Sequence, residues 1–394
     1  MGAKSLQGTP AWLGAVNDRT AYALLLEHGV LTRNRIGELS GLSKPTASQI
    51  VSRLEGAGLI HVVGEVSGGR GPNAAGYAAR TDLVYGVAVD VTATTIRAAA
   101  VDAAGDDHPV VERPAKQPGG ARTAHGDLTW AIEAASDAAG IDAERVRRVM
   151  VGVQGAVDSR TDELSFAEAL PGWPRRGIRG SLEDSLQRIV TIENDVNLAA
   201  IAERTRGAGA GTAGFALLWM GNGLGVTIDL DGDLVRGAGG SAGEIGYLEV
   251  PAAAADIDPT AVDLQDLMGG PAVGRVLRAN GIAGRTLAER LARLEASPGR
   301  DDAIAQLAQR IAIGLAPLAA LVDPGLVVLG GPTGAAGGKA LADAVRTTLR
   351  RTTRWSPDVV ATSVEEHPVL RGARDRLVAE VRASLLDDVS SLIA

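Results

Sequence analysis

Between Thr32 and Gly58 the apolar positions follow a helical period and predict two short helices joined by a tight turn. The first helix is expected to end at Gly41, a residue type that commonly follows a helix. The second is expected to begin at the N-cap residue Ser43, with a proline in its first turn. Its apolar residues fall at i, i+3, i+4 and i+7, which predicts a buried stripe made of Ala47, Ile50, Val51 and Leu54.

The opposite face of the second helix carries short polar or basic side chains. Such side chains can bond to base edges and phosphates, as a helix that enters the major groove of DNA requires. The residues predicted to contact DNA are Lys44, Thr46, Ser48, Gln49, Ser52 and Arg53. The same pattern also fits an ordinary helical hairpin whose polar face is solvated.

The segment that follows favours the DNA-binding alternative. A β-prone run at 59–66 leads into a glycine-rich tip at 67–72 that carries one basic residue, Arg70. Helix, turn, helix and hairpin predict a winged helix-turn-helix, in which an arginine on a thin loop suits the minor groove, although it also fits a solvated turn. We assign residues 1–72 to this domain and 73–82, which are small and polar, to a linker.

From residue 83 onward the pattern changes to alternating strands and helices. A strand meander, a helix, a buried strand and a strand-to-helix junction come first, and a similar order repeats after the glycine-rich segment at 207–214. A long helix near the end is expected to be interrupted by Pro317, and another is expected to begin at Lys339. This repetition predicts a duplicated α/β unit with a cleft between two lobes.

Charge and composition refine this picture. The net charge is −8, but residues 1–80 contain eight Lys/Arg and five Asp/Glu, a balance of +3 that leaves −11 for the rest. A basic head on an acidic body suits local binding to DNA phosphates. No apolar run approaches a membrane span and no signal-peptide layout is present, so we expect a cytoplasmic protein with no membrane partner. The absence of cysteine excludes disulfides and thiolate metal sites.

Four blocks in the body point to a known family: LPGWP at 170–174, ENDVNLAAIAE at 193–203, GNGLGVTIDLDGDLVRGAGGSAGEIG at 221–246 and DPGLVVLGG at 323–331. With GLSKPTAS and GGRGP in the head, the chain resembles the ROK family (repressors, open reading frames and sugar kinases), in its xylose- and N-acetylglucosamine-repressor branch. The resemblance implies an α/β fold, actin-like, with two RNase H-like lobes behind the winged helix. We place lobe 1 at about 83–205 plus the C-terminal helix, and lobe 2 at about 206–371.

The resemblance also implies a ligand site. Asp195 lies at a strand-to-helix junction beside Asn194, where it could act as a general base towards a hydroxyl or could take part in helix capping. In ROK kinases this aspartate deprotonates the sugar hydroxyl that attacks the γ-phosphate, and Glu244 matches a sugar ligand. Tyr247 and Gln265 stand where the family has a histidine and a glutamate. A sugar or sugar derivative is therefore expected to contact these five residues.

Several family positions have changed. The first phosphate loop, D-x-G-G-T in the family, has neither glycine at 90–94, and Asn222 replaces a threonine in the second loop. Ala169 replaces an asparagine that contacts sugar. The family's zinc ligands, a histidine and a cysteine-rich loop, correspond to Tyr247 and to residues 251–263, and none of the five histidines lies between 126 and 366. We expect no zinc, no ATP binding and only a vestigial base at Asp195.

These features predict a DNA-binding transcriptional regulator, a repressor of carbohydrate-related genes, rather than an enzyme. Its expected partners are an inverted-repeat operator in double-stranded DNA, a sugar-type effector and at least one further copy of the chain, since two heads are needed on a two-fold site. Two alternatives stay open. One is an active ATP-dependent sugar kinase with a DNA-binding head, and the other is a ligand-independent regulator whose body is only a dimerisation scaffold.

Overall fold

Three helices and a three-stranded sheet form the head in the computed structural model, which describes residues 10–66, 74–115, 121–158, 160–167 and 170–392. The elements of the head are α1 (Pro10–His28), β1 (Leu31–Thr32), α2 (Arg33–Ser40), α3 (Lys44–Gly56), β2 (Ile60–Val66) and β3 (Ala74–Ala79). β3 lies between β1 and β2 and is antiparallel to both. This is the winged helix-turn-helix that the sequence predicts.

The turn between α2 and α3 forms for the reasons expected from the sequence. α2 ends at Gly41, whose φ of 70° lies in the left-handed region that glycine adopts without a Cβ penalty. The Ser43 side chain accepts a hydrogen bond from the amide of Thr46 at 3.3 Å and caps α3. The buried residues of α3 are Ala47, Ile50, Val51 and Leu54. The polar face of α3 therefore lies on the surface of the head.

The prediction of a linker at 73–82 is wrong for most of its length. Residues 74–79 form β3, which pairs with β2 along the hairpin. The small residues of this segment meet a packing requirement, because a Cβ on Gly76 would lie 2.5 Å from Val66 Cγ2 and 2.7 Å from Val30 Cγ1. The head therefore extends beyond residue 72 and includes β3.

Lobe 1 is built on a five-stranded sheet whose two faces are both covered by helices. Its elements are β4 (Tyr85–Val91), β5 (Thr95–Val101), β6 (Val111–Pro114), α4 (Ala124–Ala139), β7 (Val146–Val153), β8 (Ala156–Asp158), β9 (Glu163–Ser165), α5 (Ile178–Leu186), β10 (Ile189–Asn194) and α6 (Asp195–Arg206). The strand order is β10-β7-β4-β5-β6, with β10, β7 and β4 parallel. The buried strands β4 and β7 form its centre, and α4 and α5 cover one face.

Lobe 2 repeats this plan. Its elements are β11 (Gly214–Met220), β12 (Leu224–Leu230), β13 (Asp233–Leu234), α7 (Leu264–Met268), α8 (Gly270–Ala279), α9 (Leu287–Arg293), α10 (Arg300–Val322), β14 (Leu326–Gly330), α11 (Gly331–Thr352) and β15 (Asp358–Ala361). The strand order is β13-β12-β11-β14-β15. Helices α10 and α11 pack on one face of this sheet, and residues of the other face share a core with α6. The cleft therefore lies where α6 joins the two lobes.

The last helix, α12 (Pro368–Leu392), connects the cleft region with the head. It packs along α6 so closely that a Cβ on Gly372 would lie 1.7 Å from the carbonyl oxygen of Leu198. Its distal half shares one apolar core with α1, formed by Tyr22, Leu25, Leu385 and Val389 among others. The head is thus attached to lobe 1 through a continuous apolar contact.

Two helix predictions need correction. α10 continues through Pro317, because the residues on both sides of the proline are anchored in the core of lobe 2. α11 begins at Gly331, and non-helical Gly338 (φ 52°, ψ −149°) divides it, so that the helix predicted from Lys339 is only its second part. By length and composition α10 could also cross a membrane, but half of its apolar stretch is buried inside the protein, as in the core helix of a globular domain.

Candidate functional site

A cavity of about 380 Å³ lies between the lobes at the point where β10 ends and α6 begins. All five residues predicted to contact a ligand line it: Asn194, Asp195, Glu244, Tyr247 and Gln265. Two of them belong to lobe 1 and three to lobe 2. The carboxyl end of a parallel strand is the usual place for a ligand in an α/β sheet. The structure thus brings the predicted set together, although residues 168–169, which include the altered position Ala169, lie outside the part of the chain that it describes.

Asn194 caps α6 and so positions the aspartate that follows it. Its side-chain oxygen accepts the amide of Asn197 at 3.0 Å, and its nitrogen donates to the carbonyl of Gly155 at 3.1 Å. Asp195 then occupies the first turn of α6, where one carboxylate oxygen accepts the amide of Val196 at 2.9 Å. The capping alternative therefore applies to Asn194, while the carboxyl group of Asp195 lines the cavity.

The electrostatic environment of Asp195 is unusual for a carboxyl group. Burial, with contributions from the charges of Asp90 and Glu244, raises the pKa of Asp195 to about 7, although the hydrogen bond from Val196 opposes this. Burial also raises the pKa of Asp90 to about 6, against the attraction of the Arg97 guanidinium 3.5 Å away. A carboxyl group that exchanges its proton near neutral pH suits either a general base or a switchable hydrogen-bond partner for hydroxyl groups.

The loop that carries Glu244 fits tightly between the lobes because it contains glycines. A Cβ on Gly243 (φ 92°) would lie 1.7 Å from the carbonyl oxygen of Val226 in β12. A Cβ on Gly240 would lie 2.1 Å from the carbonyl oxygen of Val157, which belongs to β8 of lobe 1. These close backbone contacts fix the position of Glu244 at the cavity.

Tyr247 and Gln265 complete the lobe 2 side of the cavity. The ring of Tyr247 contacts the ring of Phe166, with centroids 5.1 Å apart, and Nε2 of Gln265 donates to the carbonyl of Asn222 at 2.7 Å. Phe166 lies just after β9 in lobe 1 and also lines the cavity, as does Trp219. Sequence reasoning missed both aromatic residues, because Phe166 lies in a loop without periodicity and Trp219 reads as an ordinary strand residue.

A second compartment of about 520 Å³ adjoins the first and is lined partly by the turn between β4 and β5. The Thr92 hydroxyl oxygen accepts the amides of Thr94 at 3.3 Å and Thr95 at 3.0 Å, and the hydroxyl donates to the carbonyl of Thr95. The turn therefore uses its own amide donors internally. These are the groups that a phosphate-binding turn presents to its ligand.

A buried ionic cluster is centred on Glu193, two residues before Asp195 in the chain. The carboxylate of Glu193 is 7% exposed and accepts hydrogen bonds from Arg236 at 2.9 Å, Arg376 at 2.6 Å and Asn197 at 2.9 Å. Although burial opposes it, the attraction of Arg236 and these bonds hold the pKa of Glu193 below its usual range. The partners come from lobe 2, α12 and α6, so the cluster ties the cavity wall to both neighbouring units. Sequence reasoning did not predict it.

The predicted DNA-contacting residues lie on one side of α3. Lys44, Gln49 and Ser52 are exposed, and Thr46 and Ser48 are half-buried. Arg53 differs from the expectation, because its guanidinium donates to the buried carboxylate of Asp18 in α1, at 3.0 Å from Nε. Arg70 falls within residues 67–73, which lie outside the described residues, so its predicted role stays a prediction. The contacts of these side chains with DNA stay a prediction.

Two protein-family models match the sequence of this chain. A sequence model described as "ROK family" matches residues 86–379, and a model described as "Sugar-specific transcriptional regulator TrmB" matches residues 16–72. The first match covers most of the chain and includes every element of the two lobes that lines the cavity. The chain belongs to the ROK family.

The relatives of this chain include proteins named as kinases and one protein provisionally named as a repressor. A glucokinase of Halalkalibacterium halodurans is 32% identical over 169 residues, 42% of this chain and 49% of the enzyme. A protein of Caldicellulosiruptor sp., provisionally named a xylose repressor, is 24% identical over 249 residues, 62% of this chain and 61% of that protein. The chain spans only 61% and 49% of the first two curated relatives that it matches. Sequence similarity alone therefore leaves its activity open.

A solved structure shares the whole architecture. The crystal structure of a ROK family transcriptional regulator, a homolog of the E. coli MLC protein, superposes with a TM-score of 0.69. The alignment covers 97% of this chain and 98% of that protein at 18% identity. An identity this low supports the fold, including a head in front of two lobes, and no more than the fold.

The resemblance to the ROK family implies a zinc site, but the residues of this chain do not fit a zinc ion. Among the described residues no group of three or more His, Cys, Asp or Glu side chains could hold a metal ion. In the corresponding loop, the carboxylate of Asp258 is bound by Arg310 at 3.0 Å and by the hydroxyl of Thr260 at 2.7 Å. The bond from Thr260, together with Arg310, lowers the pKa of Asp258 to about 2. An ion pair therefore holds the loop where the family uses a metal.

Proposed function

We propose that this protein is a sugar-responsive transcriptional regulator, a repressor whose ROK body senses a ligand without phosphorylating it. The observation that carries this proposal is the exposed polar face of α3 on a winged helix-turn-helix head, joined to a body with a ligand-sized cavity. The match of the head to a sugar-specific regulator model and the relative provisionally named a xylose repressor support the assignment. The operator would be an inverted repeat bound by at least two copies of the chain in the cytoplasm.

The contacts of α12 supply a route from the cavity to the head. The first residues of α12, Pro368 and Val369, line the second compartment, and Arg376 bonds the Glu193 cluster. The far end of the helix packs on α1, where Arg19 and Asp387 form an ion pair at 2.8 Å. A ligand that binds one arrangement of the lobes more tightly would therefore shift the position of the head.

The main alternative is an active sugar kinase with a DNA-binding head. The kinase relatives and the pKa of Asp195 near neutrality favour it. Two features oppose it: Thr92 consumes the amides of the first phosphate turn, and Cβ atoms stand at positions 92 and 93 where the family has glycines. A phosphate could approach this turn only if its internal hydrogen bonds were broken first.

We expect the purified protein to contain no stoichiometric zinc and to transfer no phosphate from ATP to sugars. The loop at 251–263 lacks the ligands for zinc, and the turn at 90–94 lacks free amides for a phosphate. Elemental analysis and a coupled phosphorylation assay on glucose, mannose, xylose and N-acetylglucosamine would check this. A ROK glucokinase assayed in parallel serves as the positive control. About one zinc per chain would contradict the ligand set described above. Sugar-dependent ADP formation would establish the kinase alternative.

The DNA-binding function is tested through Gln49, which is exposed on α3. We expect Gln49→Ala to weaken binding to the preferred operator by about 1–3 kcal/mol and to relax base preference at one position in each half-site. The operator is first selected from genomic fragments by the purified protein, and the two proteins are then compared by fluorescence anisotropy. Gln306→Ala, an exposed glutamine in lobe 2, is the matched control and should bind as the parent does. A selection that recovers no preferred sequence would contradict the regulator proposal.

A further inference from the structure

Another cavity lies in lobe 2, between helices α8 and α9. Its volume is about 350 Å³, within the range of sites that bind small molecules. Asn222 and Leu287 line both this cavity and the second compartment of the cleft, so they mark the boundary between the two spaces. None of the residues predicted to contact a sugar lines it, and none belongs to the turn at 90–94. The cavity is therefore distinct from the cleft site.

Three arginines contribute most of the polar lining of this cavity. Arg275 and Arg278 lie one turn apart on α8, and Arg290 lies on α9. The other described residues that line it are two glycines, a proline, a leucine and an asparagine, so none of them is acidic. Residues 81–394 carry a net charge of −11, which is the total of −8 less the +3 of residues 1–80. A basic cavity in so acidic a body is a local arrangement of charge.

The protein itself holds Arg275 in place. Its Nη2 donates to the carbonyl oxygen of Asp266 at 2.8 Å and lies 3.5 Å from the carboxylate of Asp258. The same carboxylate is paired with Arg310 at 3.0 Å. Because one carboxylate serves two guanidinium groups, the charge of Arg275 is only partly neutralised.

Arg290 and Arg278 have no such partner. Nε of Arg290 is buried without a hydrogen-bond acceptor, and its other nitrogens form no hydrogen bond or ion pair with any described residue. Four further arginines have a buried unpaired nitrogen, but each of them bonds through another nitrogen: Arg113, Arg122, Arg188 and Arg310. The guanidinium of Arg278 is exposed and likewise pairs with none of the described residues. A buried donor without an acceptor indicates a ligand that supplies one.

The backbone of α8 leaves space for such a ligand. A Cβ on Gly274 would lie 4.0 Å from Nη1 of Arg290, so the guanidinium of Arg290 reaches across to α8 where that helix has no side chain. Gly270 and Pro271 form the first turn of α8, and no side chain caps it. The partial positive charge at this end of the helix adds to that of the arginines and favours an anion.

We propose that this cavity binds the phosphate group of a small phosphorylated molecule, with Arg278 and Arg290 as its direct partners. Guanidinium groups match the geometry of phosphate oxygens and form charge-assisted hydrogen bonds with them. A phosphate carries nearly two negative charges at neutral pH, which suits two unpaired guanidinium groups better than a single carboxylate does. The assignment adds a second ligand site outside the cleft, and it does not depend on the function proposed for the cleft.

Calorimetry on the full-length protein tests the ligand class. The probes are inorganic phosphate, pyrophosphate, glucose 6-phosphate and N-acetylglucosamine 6-phosphate. At least one of them should bind, with an affinity that falls as salt is added, because the cavity is partly open to solvent. If none of the four binds, the proposal is overturned. A lower operator affinity of the arginine variants described next would then assign these side chains to the DNA backbone.

Substitutions of the two unpaired arginines test the site. Arg278→Gln and Arg290→Gln remove the charge but keep a polar side chain, and each should weaken binding of the phosphate probe at least about tenfold. Arg351→Gln removes an exposed arginine of α11 that does not line the cavity, and this control should bind within about twofold of the parent. Because Arg278 is exposed, its variant should fold normally even if Arg290→Gln does not. Unchanged affinity in both variants would show that the probe binds elsewhere, which would overturn the proposal.

Discussion

Replacement of Arg53 by alanine should lower the free energy of unfolding by about 2–3 kcal/mol, because it leaves the carboxylate of Asp18 buried without its partner. Asp18 is 1% exposed, and the Arg53 guanidinium bonds both of its oxygens. Because Arg53 is partly exposed, the expected loss is smaller than the roughly 3–5 kcal/mol typical of a fully buried pair. Urea unfolding of the full-length protein, followed by circular dichroism, measures this change.

Two further variants separate this role from DNA contact. Arg35→Ala removes an exposed ion pair with Glu38 and should change stability by no more than about 0.5 kcal/mol. The double variant Asp18→Leu with Arg53→Met should recover most of the loss, since two apolar side chains can replace a buried pair. If Arg53→Ala is as stable as the parent but binds every DNA sequence more weakly, with a smaller salt dependence, the phosphate contact predicted from the sequence is right instead.

The head shows where sequence periodicity suffices and where it does not. The turn, the cap and the buried stripe of α3 follow from local rules, and the structure reproduces them residue by residue. β3 was missed because its small residues resemble a linker, while they are required by the contact of Gly76 with Val66 and Val30. The partner of Arg53 was also missed, since Asp18 lies 35 residues earlier in the chain. Contacts across such separations leave no local signal.

In the two lobes, too, local periodicity predicts the elements but not the contacts between distant residues. Alternating strands and helices predict the duplicated α/β plan, because each element carries its own period. The proline in α10 and the start of α11 were predicted wrongly, as local propensity was overridden by burial on both sides of Pro317 and by the Gly338 kink. In the site, family motifs identified the polar residues at the cavity, but Phe166 and the Glu193–Arg236–Arg376 cluster depend on three-dimensional proximity. At the turn between β4 and β5, the sequence showed that both family glycines are replaced, whereas the hydrogen bonds that Thr92 makes within the turn are visible only in the structure.

Substitutions of the two cavity carboxylates should abolish the ligand response while leaving the head functional. Glu244→Ala removes an acceptor for a sugar hydroxyl, and Asp195→Asn replaces one acceptor oxygen by an amide donor, so each change leaves a buried hydroxyl unpaired at a cost of about 1–3 kcal/mol. Sugar affinity should fall roughly ten- to a hundredfold by the same estimate, and operator affinity without sugar should stay within about twofold. Calorimetry with glucose, mannose, xylose and N-acetylglucosamine measures sugar affinity, and anisotropy with operator DNA measures operator affinity and its response to the same sugars. Glu249→Ala, an exposed acid that does not line the cavity, is the matched control.

Asp195→Asn should also make the protein more stable, which separates a binding role from a structural one. The pKa of Asp195 is about 7 in the folded protein against 3.8 ordinarily, so the folded state holds the proton more tightly. Its ionisation therefore lowers the free energy of unfolding as pH rises from about 4 to 7, and the full loss persists above pH 7. Because asparagine carries no charge, the variant should exceed the parent by roughly 2 kcal/mol at pH 8, with a difference that shrinks towards pH 4. The estimate is about half of the full linkage value, since the group faces a hydrated cleft.

A variant that melts earlier than the parent at pH 8 and no longer binds operator DNA would show that this carboxylate holds the lobes together. In that case the effector-site assignment would fail.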